Sequence, residues 1–351
     1  MKKLFIFLMM LVFVSINVYS IGIFPVEFGL KYGYIDENIN VHQMPIYDSA
    51  TQFVDGIAVV EKDGMFHIIN EEFETIASIK AKYAGKPSCN HIWFSDGKNR
   101  YYTDYSGNIV ASGFSSVKDF YNGYAVVEID NQIYLMDENN NLNSYFNKYR
   151  ECRYLGNNFY SVESANQKYG IVDETGKIII PLNYDRALDY AGNNLFAFYI
   201  GKRMRFDYTG YVDINNQEIV PAIYKDSYLV KDVGFLLQID DQDKWGTWKL
   251  TDTDGKTLYT FPENTYIDFY TGNNLVIYYK VIDRKVLYGW MKVTGEKVTE
   301  PIFSDFHYPI LPNGYAEAIY DNKNVLVTED GEIIYVYEIF GLEPVQAVAW
   351  G

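Results

Sequence analysis

The stretch KYGIVDETGKIIIPLNYDRALDY, residues Lys168 to Tyr190, decides the fold. Tyr169 to Val172 is a short run of aromatic and β-branched residues, which favours a β-strand. Asp173 to Gly176 is typical of a tight turn, because Asp suits the first turn position and Gly tolerates a positive φ. Ile178 to Ile180 is a second strand, and Pro181 is expected to end it because proline has no N–H to donate. The stretch predicts a β-hairpin, which alone is only marginally stable and needs neighbours.

The same unit recurs along almost the whole chain, with turn residues 33 to 40 positions apart. These turn residues are Asp36, Asn70, Asp104, Asp137, Asp173 and Asp213, with weaker copies at Asp252, Lys292 and Thr328. An aromatic-Gly pair or its equivalent opens the strand before several turns, at Tyr32-Gly33, Tyr169-Gly170, Thr209-Gly210, Trp245-Gly246 and Tyr288-Gly289. Four prolines are expected to end the strand after the turn: Pro45, Pro181, Pro221 and Pro301. A period of this length predicts a tandem-repeat architecture.

A further apolar strand lies between successive hairpins. Gly or Asn introduces it, as at Gly56 to Val60, Gly123 to Val127 and Asn194 to Phe198. These strands are apolar on both faces, which is typical of strands buried between packed sheets. Each unit is therefore predicted to be an antiparallel meander of three or four strands, and Val345 to Trp350 is a candidate for the last copy.

The residues of these units resemble the WG-repeat family, which is named for its Trp-Gly pair. The resemblance is carried by KYGYID at Lys31 to Asp36, KYGIVDETGKIIIP at Lys168 to Pro181, and TGYVDINNQEIVP at Thr209 to Pro221. The pair itself is intact in KWGTW at Lys244 to Trp248, and Tyr replaces Trp elsewhere. The resemblance implies a repeat scaffold of bacterial, often exported, proteins and brings no catalytic residues. The repeat-signature residues, interpreted as structural, are Tyr32, Gly33, Asp36, Tyr169, Gly170, Asp173, Gly176, Pro181, Gly210, Asp213, Pro221, Trp245, Gly246, Gly289 and Pro301.

The predicted fold class is all-β, with one repeat domain over residues 21–351 that holds about 8–9 units. A unit of three or four strands matches one blade of a β-propeller, and closing a ring of blades removes exposed sheet edges. An open β-solenoid or superhelix is the alternative, because it tolerates any number of repeats. The propeller is favoured, although about nine units exceed the usual 4–8 blades.

The N-terminus has the pattern of a secretory signal peptide. Lys2 and Lys3 precede an apolar run from Leu4 to Val18, and small residues follow, so cleavage is expected after Ser20. The alternative is an uncleaved N-terminal anchor, for which this run is short. We expect export to the periplasm, the cell surface or the medium, with residues 1–20 removed and no membrane span in the mature chain.

Charge and cysteine content limit the partners and the chemistry. The net charge of −16 disfavours binding to nucleic acid, whose phosphates carry the same sign. An oxidising compartment would permit a disulfide between Cys89 and Cys152, but two buried free thiols fit the sequence equally well.

No motif in the sequence points to catalysis, a cofactor or a metal. The histidines His42, His67, His91 and His307 form no HxH or HxxxH pair, and there is neither a nucleophile elbow nor a phosphate-binding loop. Asp252 to Gly255 resembles the start of a calcium loop, but the alternating ligands and the distal Glu are missing, so a turn is favoured. The sequence predicts a protein without an enzymatic site.

The hypothesis that the sequence favours is a non-enzymatic scaffold that binds another protein at the bacterial cell envelope. Its alternative is a carbohydrate-binding module that uses exposed Tyr or Trp rings, and a propeller-type glycoside-active enzyme is less favoured. Surface exposure separates the first two, since a row of open aromatic rings favours glycan binding and a mixed apolar surface favours protein binding.

Overall fold

The computed structural model describes residues 22–202, 205–239, 247–263, 265–272, 274–306, 311 and 314–344. The predicted signal peptide, Trp245-Gly246, His307 and the stretch from Val345 to Trp350 lie outside the described residues. Within the described ranges the chain is almost entirely antiparallel β-structure, and none of its helices has the length and apolar character needed to cross a bilayer.

The strands form nine successive meanders, units 1 to 9, in which neighbours along the chain pair with one another. Unit 1 contains β1 (Phe24–Phe28), β2 (Lys31–Ile35) and β3 (Val41–Tyr47), and unit 2 contains β4 (Ser49–Ala50), β5 (Ile57–Lys62), β6 (Met65–Asn70) and β7 (Thr75–Ile79). Unit 3 contains β8 (Tyr83–Ala84), β9 (Ile92–Ser95), β10 (Arg100–Thr103) and β11 (Ile109–Phe114). Unit 4 contains β12 (Tyr124–Ile129), β13 (Gln132–Asp137) and β14 (Leu142–Asn143), followed by the 3-10 helix η1 (Ser144–Lys148). Unit 5 contains β15 (Glu151–Gly156), β16 (Phe159–Glu163), β17 (Tyr169–Asp173) and β18 (Ile178–Tyr184). Unit 6 contains β19 (Asp189–Gly192), β20 (Leu195–Lys202), β21 (Arg205–Asp213) and the first half of β22 (Glu218–Val230). Unit 7 contains the second half of β22, β23 (Gly234–Ile239), β24 (Thr247–Asp252) and β25 (Thr257–Thr260). Units 8 and 9 contain β26 (Tyr266–Tyr270), β27 (Leu275–Ile282) and β28 (Lys285–Lys292); and β29 (Asp305–Phe306), β30 (Ala316–Tyr320), β31 (Lys323–Val327) and β32 (Ile333–Tyr335), followed by the helix α1 (Val336–Phe340).

We number the strands of a unit so that the turn residue lies at the end of the third strand or directly after it; units 1 and 4 then have no named first strand, and unit 8 no named fourth strand, among the described residues. The turn that follows the third strand has the same hydrogen bonds in all nine units. The N–H of Asp173 donates to the carbonyl of Lys177 at 3.0 Å, and the N–H of Gly176 donates to the carbonyl of Asp173 at 2.9 Å. The Asp173 Oδ1 also accepts the N–H groups of Thr175 and Lys177, which fixes the turn from its first residue. Each of the nine turn positions identified in the sequence, from Asp36 to Thr328, forms this turn.

Replacing Asp173 by alanine should lower the free energy of unfolding by about 1 kcal/mol, because two backbone N–H groups lose their side-chain acceptor. Asp173→Asn keeps an acceptor oxygen at the same place and should cost clearly less. Thermal unfolding of the two variants beside the wild type measures the difference. Equal losses for alanine and asparagine would contradict the proposed role of the acceptor.

Three prolines lie inside the fourth strand, so the expectation that they end it is wrong. Pro45 is within β3, Pro181 within β18 and Pro221 within β22. The fourth strand is paired on one side only where each of these residues lies, so a residue without an N–H is tolerated there. Pro301 lies outside any named strand.

Each of these prolines sits in a bulge opposite a signature glycine. Ile171 pairs with Ile180 and Tyr169 pairs with Tyr184, so three residues of β18 face Gly170 alone. A Cβ at Gly170 would lie 2.6 Å from the Ile180 carbonyl oxygen, which is too close for a side chain. The aromatic-Gly pair and the proline are therefore the two sides of one β-bulge.

The hydrophobic core consists of clusters between successive units. Ala58 and Val60 of β5 pack against Tyr34 of unit 1, whereas Val59 of the same strand packs towards Ile92 of unit 3. The second strand of unit 2 is thus buried on both faces, as its sequence predicts. Clusters of this kind fill all eight seams from units 1 and 2 to units 8 and 9.

A ninth cluster joins the two ends of the array. Phe24 and Val26 of unit 1 pack with Leu326 of unit 9 and with Val336 and Phe340 of α1. Because the first unit packs on the last, the nine units form a closed ring, and the β-propeller predicted from the sequence is confirmed. An open array would leave these apolar faces uncovered.

Candidate functional site

The first strands of the units line the inside of the ring. β15 of unit 5 lies close to β19 of unit 6, although the two strands belong to different units. Units converge in this way only near the axis, so their fourth strands lie on the outer circumference.

A cavity of about 430 Å³, here called the seam cavity, follows the inner strand β15 between units 4 and 5. Tyr121 and Tyr124 contribute from unit 4, Tyr154 and Tyr160 from unit 5, and Ala187 precedes unit 6. The volume falls in the range of pockets that hold small molecules.

Stacked tyrosines and unpaired hydroxyls characterise the wall of the seam cavity. The rings of Tyr121 and Tyr154 are stacked with centroids 4.9 Å apart and planes 12° apart. The Tyr160 Oη and the Ser161 Oγ are buried without a hydrogen-bond partner within the described part of the chain. Because they are consecutive residues of one strand, their side chains lie on opposite faces of β16, Tyr160 towards unit 4 and Ser161 towards unit 6.

Charged side chains of both signs surround the seam cavity. The cations are Lys118, Arg150 and Arg153, and the carboxylates are Asp119, Glu128 and Glu151. The Arg153 Nη2 lies 2.7 Å from the Asp189 Oδ1. Burial raises the pKa of Asp119. The backbone N–H of Lys86 and the indole N–H of Trp93 donate to its Oδ1 and act in the opposite direction. The cavity therefore offers hydrogen-bond donors and acceptors without a dominant charge.

The two cysteines are free thiols and do not form a disulfide. Cys152 also lines the seam cavity, and burial raises the pKa of its thiol to about 12. A thiol of this kind stays protonated at neutral pH and is a poor nucleophile. No group of three or more His, Cys, Asp or Glu side chains that could hold a metal ion occurs within the described ranges.

The outer circumference carries a second feature, an exposed aliphatic residue at the start of the fourth strand in seven successive units. We call this set the outer-edge row, and its members are Val41, Ile76, Ile109, Leu142, Ile178, Ile219 and Leu258. These residues lie beside the turn between the third and fourth strands.

The turn glycines bring neighbouring units together at the outer-edge row. A Cβ at Gly176 of unit 5 would lie 1.9 Å from the ring of Tyr145, an exposed side chain on η1 of unit 4. Leu142, Tyr145 and Ile178 thus lie on adjoining segments across one seam, and we call them the outer patch. Lys148 places its Nζ 3.5 Å from the centre of the Tyr145 ring.

The signature residues are distributed around the ring and do not converge on one site. Asp36, Asp173 and Asp213 begin the turns, and Gly33, Gly170 and Gly210 lie in the bulges. Tyr169 is the single described signature residue that lines the seam cavity. Trp245 and Gly246 lie outside the described residues.

Sequence reasoning missed the seam cavity because its residues depart from the repeat. The turn residue of each unit pairs with a residue of the second strand, and the position two residues further along that strand can be compared between units. This position is Ser161 in unit 5, Ala197 in unit 6 and Ile277 in unit 8. A polar residue in this apolar register is the signal that could have indicated the site. It becomes visible only after the strands are aligned by their pairing.

Solved structures resemble this chain in fold. A crystal structure of the eukaryotic initiation factor has a TM-score of 0.65 at 10% identity, covering 93% of this chain and 96% of that one. Kluyveromyces lactis Hsv2 has a TM-score of 0.42 at 11% identity, covering 77% of this chain and 94% of that one. The Neurospora crassa Pan2 WD40 domain has a TM-score of 0.34 at 12% identity, covering 70% of this chain and 89% of that one. At such identities the first of these shows a shared fold over nearly the whole length and nothing about function. None of the curated proteins matches the sequence.

Family comparison identifies the repeat itself. Residues 32–66, 102–132 and 169–203 match the family described as WG containing repeat. These stretches begin at or near the third strands of units 1, 3 and 5, where the first and third contain the Tyr-Gly pairs that carry the resemblance. These three stretches are thus WG-type repeats, as the sequence indicates.

Proposed function

We propose that this protein is an exported, non-enzymatic propeller scaffold that binds a protein partner at the cell envelope through its outer-edge row. The observation that carries the proposal is the recurrence of an exposed aliphatic residue at one of the first two positions of the fourth strand in seven successive units. Single exposed apolar residues are ordinary, but a row repeated along the outer strands offers one partner several apolar contacts.

The kind of exposed side chain favours a protein over a glycan as the main partner. Among the large hydrophobic side chains exposed in the described ranges, Tyr83, Tyr121 and Tyr145 are aromatic and the others are aliphatic or Met. Aliphatic surfaces bury well against protein, whereas stacking on sugar rings needs aromatic faces. The net charge of −16 favours a partner with a basic surface.

The outer strands add a second mode of attachment. The fourth strand of a unit is an edge, and its free N–H and C=O groups can pair with an extended segment of another chain. In unit 5 this edge is β18, which begins at Ile178 of the outer patch. A partner segment that pairs there would also cover the outer patch.

A photo-crosslinking residue at position 145 should capture one protein partner in intact cells, whereas the same residue at position 200 should capture none. Ile200 is an apt control, because it is as exposed as the outer patch but lies at the opposite end of its unit, near the hairpin of β20 and β21. Mass spectrometry of the adducts identifies the partner, and the N-terminus of the recovered chain tests the expected cleavage after Ser20.

The double variant Leu142→Asp/Ile178→Asp should weaken binding of the captured partner at least about tenfold, since charges would replace apolar contacts at the centre of the interface. The control Ile200→Asp/Val281→Asp, at comparably exposed positions, should bind like the wild type. Affinities are measured with the purified partner. Equal binding by both double variants, or equal adducts at positions 145 and 200, would refute docking at the outer-edge row.

A further inference from the structure

The hairpin between the second and third strands of unit 8 is longer than its equivalents in other units. In units 2 and 4, six residue pairs join these two strands. Unit 8 continues for eight pairs, from Leu275 with Lys292 to Ile282 with Lys285. At about 3.3 Å per residue, the two added pairs carry this hairpin about 7 Å beyond the shorter ones. We call its projecting end, residues 280–287, the long tip.

The long tip exposes aliphatic side chains on both of its faces. Val281 and Val286 lie directly opposite each other and are 60% and 43% exposed, and Ile282, on the other face, is 41% exposed. Neighbouring strands pair with β27 as far as Tyr279 and with β28 as far as Tyr288. Beyond these two residues, no other described strand pairs with either edge, so the tip stands free of the neighbouring sheets.

A tight turn gives the long tip a defined shape. Asp283 and Arg284 have φ of 49° and 66°. Positive φ at both central residues is the pattern of a type I′ turn, which matches the twist of the strands on either side. The long tip is therefore a narrow two-stranded wedge with apolar residues on its flanks.

The long tip is basic, although the protein is acidic. Lys280, Arg284 and Lys285 outnumber the one carboxylate, Asp283, so three positive charges and one negative give a net charge of +2 in a chain whose net charge is −16. Arg284 and Lys285 are exposed, and neither forms an ion pair with another described residue. Cations and aliphatic side chains thus project together from one point of the ring.

Unit 6 departs from the shorter hairpins in the same way. Its second and third strands end at the pair of Lys202 with Arg205, which lies as far from the turn as the last pair of unit 8. Both residues of this pair are basic, and Ile200 nearby is exposed. Because the hairpins of all units point to the same end of the ring, units 6 and 8 bring basic residues and exposed aliphatic side chains to one side of the molecule.

The chemistry of the long tip fits the surface of an anionic lipid bilayer. Aliphatic side chains enter the boundary between headgroups and acyl chains, and Lys or Arg side chains bind anionic headgroups. The net charge of the whole chain opposes this contact. However, charges are screened over about 8 Å at physiological salt. This distance is close to the projection of the tip, so the tip meets the lipid while the rest of the protein is largely screened from it.

We propose that the long tip inserts into the headgroup region of an anionic bilayer and holds the ring against it. Val281, Ile282 and Val286 enter the lipid, and Arg284 and Lys285 bind headgroup phosphates. The outer-edge row lies beside the turns at the opposite end of the units, so it stays open to a protein partner. Lipid binding is thus a second activity, separate from partner docking.

Co-sedimentation of the purified protein with lipid vesicles tests the proposal. The probes are vesicles of phosphatidylcholine alone and vesicles in which about one third of the lipid is phosphatidylglycerol. We expect binding to the anionic vesicles only. Val281→Ser/Val286→Ser and Arg284→Glu/Lys285→Glu should each lower the partition coefficient at least about tenfold, because they remove the apolar contact or reverse the charge. All four residues are exposed, so both variants should keep the melting temperature of the wild type.

Lys177→Glu/Lys256→Glu is the matched control, because it changes the net charge by the same amount at two exposed turn residues on the opposite end of the ring. It should bind anionic vesicles like the wild type. An equal loss in this control would mean that only total charge matters. That result, equal binding to neutral vesicles, unchanged binding by either tip variant, or no binding by the wild type would overturn the proposal. Sedimentation velocity reveals the competing role: a wild-type dimer that Val281→Ser/Val286→Ser dissociates would assign the tip to self-association and refute lipid docking.

Discussion

Replacing Phe24 by alanine should lower the free energy of unfolding by about 3–5 kcal/mol, the usual loss for a fully buried phenylalanine. Phe24 is fully buried between unit 1 and unit 9, where it packs with Leu326, Val336 and Phe340. Chemical denaturation measures the change. The size of the loss depends on ring closure, because the cluster that buries Phe24 includes Leu326, Val336 and Phe340 from the far end of the chain.

Phe196 provides a matched control for this prediction. It has the same register as Phe24, since each pairs with the residue that directly precedes a turn aspartate, Asp36 or Asp213. Phe196 is also fully buried, but its cluster lies between units 5 and 6 in the interior of the array. In a closed ring the two alanine variants should lose similar stability. A loss at Phe24 far below the loss at Phe196 would show that the terminal seam opens in solution.

The turns could be predicted from the sequence because their signal is local. Each turn residue lies within four positions of the groups it bonds, and Asp, Asn or Thr at its start accepts N–H groups from the turn. Even the weak copies at Lys292 and Thr328 form the turn. Ile39 and Phe73 occupy the left-handed position that Gly176 fills in unit 5, so the turn persists where the preferred residue is absent.

The prolines were misinterpreted because their partner lies in another strand. Pro181 appears to stop a strand when it is considered alone, but β18 continues to Tyr184 through a bulge that faces Gly170. The two residues are eleven positions apart, and only the pairing of β17 with β18 joins them. Considering each residue alone therefore identifies both Gly170 and Pro181 but does not show that they face each other in one bulge.

The sequence favours a closed ring, but neither the residues that close it nor the seam cavity could be identified from it, for two different reasons. Closure depends on contacts between Phe24 and Phe340, which no local pattern connects. The cavity depends on small departures from the repeat, such as Ser161, that a search for similarity treats as noise. A repeat pattern thus predicts the scaffold well and the site poorly, since the site is where one unit differs from the others.

Glu317→Gln should stabilise the protein above neutral pH by up to about 3 kcal/mol, because it removes a carboxylate from the closing seam. The N–H of Glu27 in unit 1 donates to the Glu317 Oε1 of unit 9 at 3.4 Å. Burial, and then the Glu27 carboxylate, raise the pKa of Glu317 from 4.5 to about 7. Burial also raises the pKa of Glu27, although the Tyr32 hydroxyl that donates to it acts in the opposite direction.

The sign of the pH dependence follows from these shifts. A raised pKa means that the folded state binds the proton more tightly than the unfolded chain, so this contribution to stability is complete below pH 4.5 and is lost as the pH rises to about 7. The wild type should therefore become less stable over this window, and Glu317→Gln should flatten the fall.

Only the difference between the two profiles isolates Glu317, because burial also raises the pKa of Asp119, Asp226 and Asp268. Thermal unfolding at intervals from pH 4.5 to 8 measures both profiles. Glu332→Gln, at an exposed position of the same unit, should follow the wild type. Parallel profiles for the wild type and Glu317→Gln would mean that Glu317 is ionised without penalty. The carboxyl would then be solvated rather than buried, and the seam between units 1 and 9 would be open to water in solution.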